Sequence, residues 1–363
     1  MQTIEEQFRS QVLAAVEAGT PLRLRGGGTK DWYGNAVTAA SAGTLLDTRA
    51  YTGVVDYEPT ELVITVRCGT PLAEVEALLA ANGQMLAFEP PRFGAASTIG
   101  GVVASGLAGP RRASAGGVRD FVLGAKLMDG KGEVLRFGGQ VMKNVAGYDV
   151  SRLLAGSMGT LGLILEVSLK VLPLPVSEAT LRFEAGEIDA LRRLNEWAGQ
   201  PLPLSGSCWR PGALTVRLSG AEAAVRAALA RMGAAGSGVP GARLGDAEAA
   251  AFWASLRDQS HGYFDGGTLW RLSVPPAASA IILKGEQLIE WGGAQRWLKT
   301  DSAASAAQDI RRTVAAAGGH ATLFRAQDKS PGAFHPLAPA VAKINQRLKQ
   351  AFDPAGIFNP GRM

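Results

Sequence analysis

The residues whose types and spacing point most directly to chemistry form a glycine loop after a short predicted strand, Leu22–Arg25. The loop consists of Arg25, Gly26, Gly27, Gly28, Thr29 and Lys30. Glycine adopts φ > 0 and places no Cβ between the backbone and a ligand, so successive amides can converge on an anion. We expect the loop to bind a phosphate, with φ > 0 at Gly27, although a triple glycine alone is also a common turn.

Two further segments repeat a strand-to-glycine pattern. They are Thr98-Ile99-Gly100-Gly101 and Gly156-Ser157-Met158-Gly159-Thr160-Leu161-Gly162. Sixteen of the 46 glycines lie between residues 94 and 162. The three loops fall within one predicted domain and could together wrap an extended ligand containing a pyrophosphate. The first loop is neither a Walker A loop nor a G-x-G-x-x-G motif, and the region lacks a βαβ rhythm. These patterns predict a dinucleotide bound in a fold other than the Rossmann fold.

Arginines are the best candidates for binding a substrate carboxylate. Arg271 lies in a predicted strand, Leu269–Val274, and could grip a carboxylate through two hydrogen bonds, although a surface or interdomain ion pair is the favoured explanation. Arg296 lies in a tryptophan-rich segment, 291–297, which could be a lid, a subunit interface or ordinary core.

Histidine and cysteine are too scarce to build most metal sites. The three histidines, His261, His320 and His335, fit no metal-ligand pattern, and we expect His261 to be a turn residue. The two cysteines cannot hold an iron–sulfur cluster within the chain. We therefore expect no metal, and redox chemistry would need another cofactor.

Composition bounds the class of protein. The length of 363 residues predicts two or three domains, and 47% hydrophobic with 19% charged residues indicates a globular protein. A net charge of +5 is too small for a nucleic-acid-binding surface, so we expect no nucleic acid. The N-terminus has no signal-peptide pattern and no apolar run could span a membrane, which predicts a cytoplasmic location.

The predicted elements are mixed. Helices are expected at 4–16, from 71 to 81, at 188–197, 221–232, 247–256 and 341–352, with strands at 54–57, 62–66 and 163–172 and a hairpin at 121–137. Pro173-Leu174-Pro175 resembles a linker. We expect an α+β protein with domains at 1–173, 174–323 and 324–363.

Five motifs occur in the order typical of one protein family. They are Arg25–Thr29, Thr98–Gly101, Arg119–Gly124, Gly147-Tyr148-Asp149 through Gly162, and Asn359-Pro360-Gly361. In this order the chain resembles the vanillyl-alcohol-oxidase (PCMH) type of FAD-binding proteins, and within it the FAD-binding subunits of bacterial glycolate oxidases. The resemblance implies a PCMH-type FAD-binding domain of two subdomains and an α+β cap.

The resemblance also assigns cofactor residues. Arg25 to Lys30 would hold the pyrophosphate, Thr98, Gly100 and Gly101 the flavin side, Gly116, Gly117 and Val118 a further loop, and Gly159, Thr160, Gly162 and Ile164 the adenosine side. Some relatives attach FAD through a histidine beside the first glycine loop. Here Lys30 and Asp31 follow Thr29, so we expect non-covalent FAD.

The resemblance implies oxidation of glycolate or D-lactate to the 2-oxo acid by a complex that also contains a second FAD subunit and an iron–sulfur subunit. Membrane contact would then come only through partners. Related enzymes use a histidine and glutamate cluster that this chain lacks, so the general base stays unassigned. Two alternatives remain open: a flavin electron-transfer or assembly subunit that binds no substrate, and an enzyme like UDP-N-acetylenolpyruvoylglucosamine reductase.

Overall fold

The computed structural model describes residues 2–38, 41–139, 148–233, 241–301 and 306–363. The first half of the chain contains short strands and helices. In chain order they are α1 Ile4–Ala18, β1 Leu22–Arg25, β2 Thr44–Asp47, β3 Val54–Glu58, β4 Val63–Arg67, α2 Leu72–Ala81, β5 Gln84–Met85, α3 Ile99–Ser105, α4 Arg112–Ala115, α5 Val118–Phe121, β6 Val122–Met128, β7 Val134–Gly138, β8 Leu163–Lys170 and β9 Leu172–Pro173.

The second half has longer strands. They and their helices are β10 Ser177–Glu184, α6 Glu187–Ala198, β11 Leu204–Arg210, β12 Ala213–Gly220, α7 Glu222–Gly233, β13 Ala242–Arg243, α8 Asp246–Arg257, β14 Thr268–Ser273, β15 Glu286–Glu290, β16 Gln295–Thr300, α9 Ala307–Ala316, β17 His320–Arg325 and α10 Pro339–Phe352.

The strands form two main sheets. An antiparallel sheet in the order β3-β4-β8-β6-β7 organises the first half, beside the parallel pair β1-β2. The second half forms an eight-stranded antiparallel sheet in the order β13-β10-β12-β11-β15-β16-β14-β17, which we call the cap sheet. The α+β class is confirmed.

The first half has one apolar core, and β6 is buried along its whole length. α1 shows how local signals set an element. Thr3 and Glu6 form a capping box at its start, and Gly19 ends it at φ +59°, while Phe8 and Val12 point into the core.

The cap sheet is covered on one face by helices. Trp270 and Leu272 of β14 pack with Ile310 and Val314 of α9. An aromatic cluster that includes Tyr33 and Phe324 joins residues of both halves. The cap sheet therefore packs directly against the region that contains the glycine loops.

The domain boundaries stay predictions, with one adjustment. The boundary at 173 falls between β9 and β10, but residue 323 lies inside β17, so we propose to move the second boundary beyond Arg325. The segment after α10 returns to the first half: Leu22 donates its amide to the Ile357 carbonyl at 2.7 Å, and Asn359 donates its own to the Leu22 carbonyl at 3.0 Å.

Candidate functional site

The predicted glycine loops meet around one narrow cavity of about 70 Å³, which we call cavity A. Seven of the predicted cofactor residues line it. They are Arg25, Gly26, Gly100, Gly101, Gly159, Gly162 and Ile164, together with Leu24, Thr48, Cys68, Ala104 and Leu163. The structure thus brings together three loops that are up to 137 positions apart in the sequence, from Arg25 to Gly162.

Most of these glycines are required by the close approach of protein segments. A Cβ at Gly26 would overlap the Thr98 hydroxyl, and one at Gly27 would overlap the Ala96 carbonyl oxygen. The expectation of φ > 0 at Gly27 is wrong, because the left-handed residue of the loop is Gly28, at φ +73°. Gly27 is needed because a neighbouring backbone leaves no room for a side chain.

Gly101 differs from the others. Apart from the local helix backbone, the nearest heavy atom to a Cβ built there is the Thr98 Oγ1 at 3.4 Å, and the residue lines cavity A. Thr98 caps α3, so the expected strand-to-glycine transition at Thr98–Gly101 is in fact the first turn of a helix. The missing side chain at Gly101 therefore leaves free space that belongs to cavity A.

The loop cations already have partners. Lys30 Nζ donates to the Ser97 hydroxyl at 2.9 Å, and burial lowers its pKa to about 8. Arg25 Nε lies 2.8 Å from an Asp31 carboxylate oxygen. A pyrophosphate beside this loop would contact the guanidinium of Arg25, which is already ion-paired, and the amine of Lys30. The negative charge of the pyrophosphate would favour the protonated form of that amine.

The third loop is fixed by the C-terminal motif. Asn359 accepts the Leu24 amide at 2.9 Å and donates to the Met158 carbonyl at 2.8 Å, so one side chain ties β1 to the loop before β8. Gly159, at φ +69°, has no room for a Cβ beside Asn359. The Thr160 hydroxyl donates to Ser157 within its own loop, at 2.7 Å.

Gly116, Gly117 and Val118 are not brought into cavity A. Gly117 donates its amide to Asp120 at 2.8 Å and starts α5, and Val118 is buried in the core. Their local geometry is that of a helix start. Residues 140–147, which include the start of the Gly147-Tyr148-Asp149 motif, lie outside the described residues, while Tyr148 is 93% exposed.

A second, larger cavity of about 420 Å³ lies between α4 and the cap sheet, and we call it cavity B. Its side chains of chemical interest are Arg112, Arg271, Trp291 and His320. Gly106, which ends α3, also lines it. Cavity A follows α3 from Gly100 to Ala104, and cavity B begins at Gly106, so the two cavities approach each other at the last turn of this helix.

Arg271 and His320 share one face of the cap sheet. Arg271 pairs with Thr322, and His320 pairs with Ser273, so Arg271 and His320 are diagonal neighbours on β14 and β17. Partial burial, together with the positive charges of Arg271 and His335, lowers the pKa of His320. The lowered pKa favours the neutral imidazole, which can accept a proton.

Both arginines of cavity B are stacked on aromatic rings. Arg271 Cζ lies 5.9 Å from the centre of the Phe324 ring, and Arg112 Cζ lies 4.6 Å from the Trp291 ring. Stacking leaves the edge of a guanidinium, with its N–H donors, available to a carboxylate. Cavity B thus offers two cations for a small carboxylate and a neutral histidine.

The structure does not bring Arg296 to either cavity. Its side chain is fully buried, and it donates to the carbonyls of Ala278, Ser279 and Gly293, at 2.8 Å in the Ser279 case. A guanidinium enclosed by backbone oxygens anchors the segment before β15. Of the interpretations of residues 291–297, core packing fits Arg296 and Trp297, whereas Trp291 lines cavity B.

Three residues of interest had no signal in the sequence. Arg112 and His320 belong to no motif and meet only through the tertiary fold. Cys68 lines cavity A, and burial raises the pKa of its thiol to about 12. His261 is the expected turn residue, since its Nδ1 accepts the Tyr263 amide at 3.1 Å.

The geometry can be compared with that of known proteins. Residues 3–138 match the family described as FAD binding domain. The glycolate oxidase subunit GlcE of Escherichia coli K12 is 49% identical over 356 residues, which cover 97% of this chain and 95% of that protein. The chain belongs to the GlcE family.

One more distant relative matches about half of this GlcE-family chain, and one solved structure matches almost all of it. The glycolate oxidase subunit GlcD of Bacillus subtilis is 33% identical over 175 residues, 48% of this chain and 36% of that protein. A solved structure of alkyldihydroxyacetonephosphate synthase superimposes with a TM-score of 0.68 at 17% identity, over 98% of this chain and 74% of that chain. That similarity shows the shared fold.

Two kinds of feature are absent from the described part of the chain. No group of three or more His, Cys, Asp or Glu side chains there is arranged to hold a metal ion. Among its helices, none is long and apolar enough to cross a membrane.

Proposed function

We propose that this chain is the FAD-binding GlcE-type subunit of a glycolate oxidase complex, and that it binds both FAD and a 2-hydroxy acid. FAD would lie along α3, with its pyrophosphate in cavity A and its flavin toward cavity B. The supporting observation is that one short helix connects the glycine-lined cavity to a cavity that contains two arginines and a neutral histidine.

The residues of cavity A fit an extended anionic cofactor. Gly101 leaves room beside α3, while Arg25 and Lys30 supply positive charge at the first loop. We propose that binding is non-covalent. Cys68 is the nucleophilic side chain that lines this cavity, and a thiol with a pKa of about 12 is protonated and unreactive at neutral pH.

The residues of cavity B fit a small 2-hydroxy carboxylate such as glycolate or D-lactate. Arg271 and Arg112 would hold the carboxylate, and His320 would take the proton of the hydroxyl group. Bound FAD would supply the chemistry that oxidises the α-carbon, by accepting a hydride. This assignment gives the reaction a base that the sequence motifs did not identify.

The electrons need partner subunits in order to leave this chain. Both cysteines of the chain are buried as free thiols, one in each half. We propose a second flavoprotein of the GlcD type and an iron–sulfur subunit that receives the electrons.

The test uses the purified full chain loaded with FAD and mixed with glycolate without oxygen. We expect the visible flavin absorbance to bleach. Arg271→Ala loses a charge-assisted contact of about 1.5–3 kcal/mol. The variant should therefore need a glycolate concentration roughly 10- to 150-fold higher for the same bleaching. Arg271→Lys should fall between the two, because it keeps the charge but loses the planar fork.

The control is Arg192→Ala, on the exposed side of α6, where Arg192 pairs with Asp189 and Glu196. It should bleach as the unaltered chain does. If the chain binds FAD but glycolate never bleaches it, and the complex with Arg271→Ala still oxidises glycolate normally, then this subunit carries electrons and binds no substrate.

A further inference from the structure

A third cavity lies directly behind cavity B. This cavity C has a volume of about 350 Å³, and apolar side chains line much of it. They include Leu194, Trp197, Leu202 and Leu204.

Neighbouring residues in three segments form the wall between the two cavities. Arg112, Pro275 and Trp291 line cavity B, and the residue that follows each of them lines cavity C. Trp291 itself lines both cavities. Trp291 is therefore part of the partition between a cationic cavity and a more apolar one.

The indole is held in place by polar contacts. Trp291 Nε1 donates to the Gly109 carbonyl at 3.0 Å, and the Arg112 guanidinium covers the ring. The backbone of Trp291 is left-handed, at φ +54°, a conformation that residues with side chains rarely adopt. The next amide, of Gly292, donates to the Ser207 hydroxyl at 2.8 Å, which fixes this turn.

We propose that Trp291 sets the upper size limit of the substrate by closing cavity B against cavity C. This inference rests on the proposed function, since it takes cavity B to be the 2-hydroxy acid site. With Trp291 present, this residue separates the space beside Arg271 and His320 from the apolar side chains of cavity C. Without the indole, cavity C would accept an alkyl chain attached to the same 2-hydroxy carboxylate.

The test compares Trp291→Ala with Trp197→Ala in the FAD-loaded full chain. Both variants remove an indole that lines cavity C, but only Trp291 also lines cavity B. The measurement is kcat/KM for 2-hydroxyoctanoate divided by kcat/KM for glycolate. Added methylenes in an apolar pocket discriminate by about tenfold or more each, so Trp291→Ala should raise this ratio at least ~10-fold. Trp197→Ala should leave it unchanged.

Trp291→Phe provides a second check, because it keeps an aromatic ring in the wall and loses only the hydrogen bond to Gly109. Its ratio should stay near that of the unaltered chain. The inference is overturned if glycolate is oxidised but the ratio is the same in Trp291→Ala, or if Trp197→Ala raises it equally.

A binding measurement separates this inference from the proposed function. Octanoate and acetate carry the carboxylate but no hydroxyl, and their affinities can be measured by calorimetry. Trp291→Ala should bind octanoate at least ~10-fold more tightly, relative to acetate, than the unaltered chain. If it does so while no 2-hydroxy acid reduces the flavin, the partition stands and the proposed reaction fails. An unchanged affinity ratio overturns the partition.

Discussion

Replacement of Gly101 by alanine separates cofactor binding from folding. Gly101 lies in the first turn of α3, and an added methyl group would point toward cavity A. Apart from the local helix backbone, the atom nearest to that methyl group would be Thr98 Oγ1, at 3.4 Å. Alanine in the interior of a helix is more stable than glycine by roughly 0.5–1 kcal/mol. The FAD-free protein should therefore be at least as stable as the unaltered chain.

The same methyl group should weaken FAD binding. Cavity A is narrow, at about 70 Å³, and extra atoms in a close-packed site cost roughly 1–3 kcal/mol. That cost corresponds to a dissociation constant roughly 5- to 150-fold higher. Gly27→Ala is the matched control: its methyl group would overlap the Ala96 carbonyl oxygen, so it should lower stability even without FAD.

The assay has two parts. FAD is removed and titrated back, with binding followed by the quenching of its fluorescence, and the melting temperature of the FAD-free protein is measured for each variant. Gly101→Ala should lose affinity at an unchanged or higher melting temperature, and Gly27→Ala should melt earlier. Normal FAD affinity in Gly101→Ala would refute the assignment of cavity A as the cofactor site.

Three further predictions follow from the site and its partners. Because the pKa of His320 is lowered and its neutral form is the base, glycolate turnover should be present above that pKa and fall as the pH drops through it; His320→Gln should remove this limb of the pH profile. Acid precipitation should release yellow flavin into the supernatant from both the unaltered chain and Cys68→Ser, whereas colour kept in the pellet of the unaltered chain alone would show a thiol linkage. A tagged chain isolated from native cells should bring down an iron–sulfur protein and a second flavoprotein, and repeated absence of both would contradict the proposed complex.

Cavity A could be predicted from the sequence because its determinants are local. Each glycine loop is recognisable from its own residues, even though the conformation expected at Gly27 and at Thr98–Gly101 was wrong, and five motifs in order indicated the family. The error at Thr98–Gly101 has a physical cause. Gly-Gly-Val-Val is a poor helix-forming sequence, and α3 forms because Thr98 caps it while Ile99, Val102 and Val103 are buried.

Cavity B could not be predicted in the same way. Arg112 and His320 are 208 positions apart (320 − 112), and no local pattern connects them. His320 lies on β17, the strand at one edge of the cap sheet. It reaches the cavity because β17 pairs with β14, which places His320 diagonally beside Arg271. Such long-range pairing depends on the whole sheet, so the sequence pointed only to Arg271 and to the segment that contains Trp291.

Cavity B suggests how the proton of the substrate hydroxyl could be taken by a side chain without a metal. A metal-free base must be neutral at working pH and close to the substrate, and burial together with a neighbouring guanidinium makes histidine such a base. The Arg271 and His320 pair combines both requirements, because the charge that would hold the carboxylate also helps to keep the imidazole unprotonated. Arg271→Ala should therefore raise the pKa of His320 while it weakens glycolate binding, moving the acid limb of the pH profile upward. Arg271→Lys should leave that limb nearer its original place, and an unshifted limb in Arg271→Ala would show that His320 is not the group that titrates.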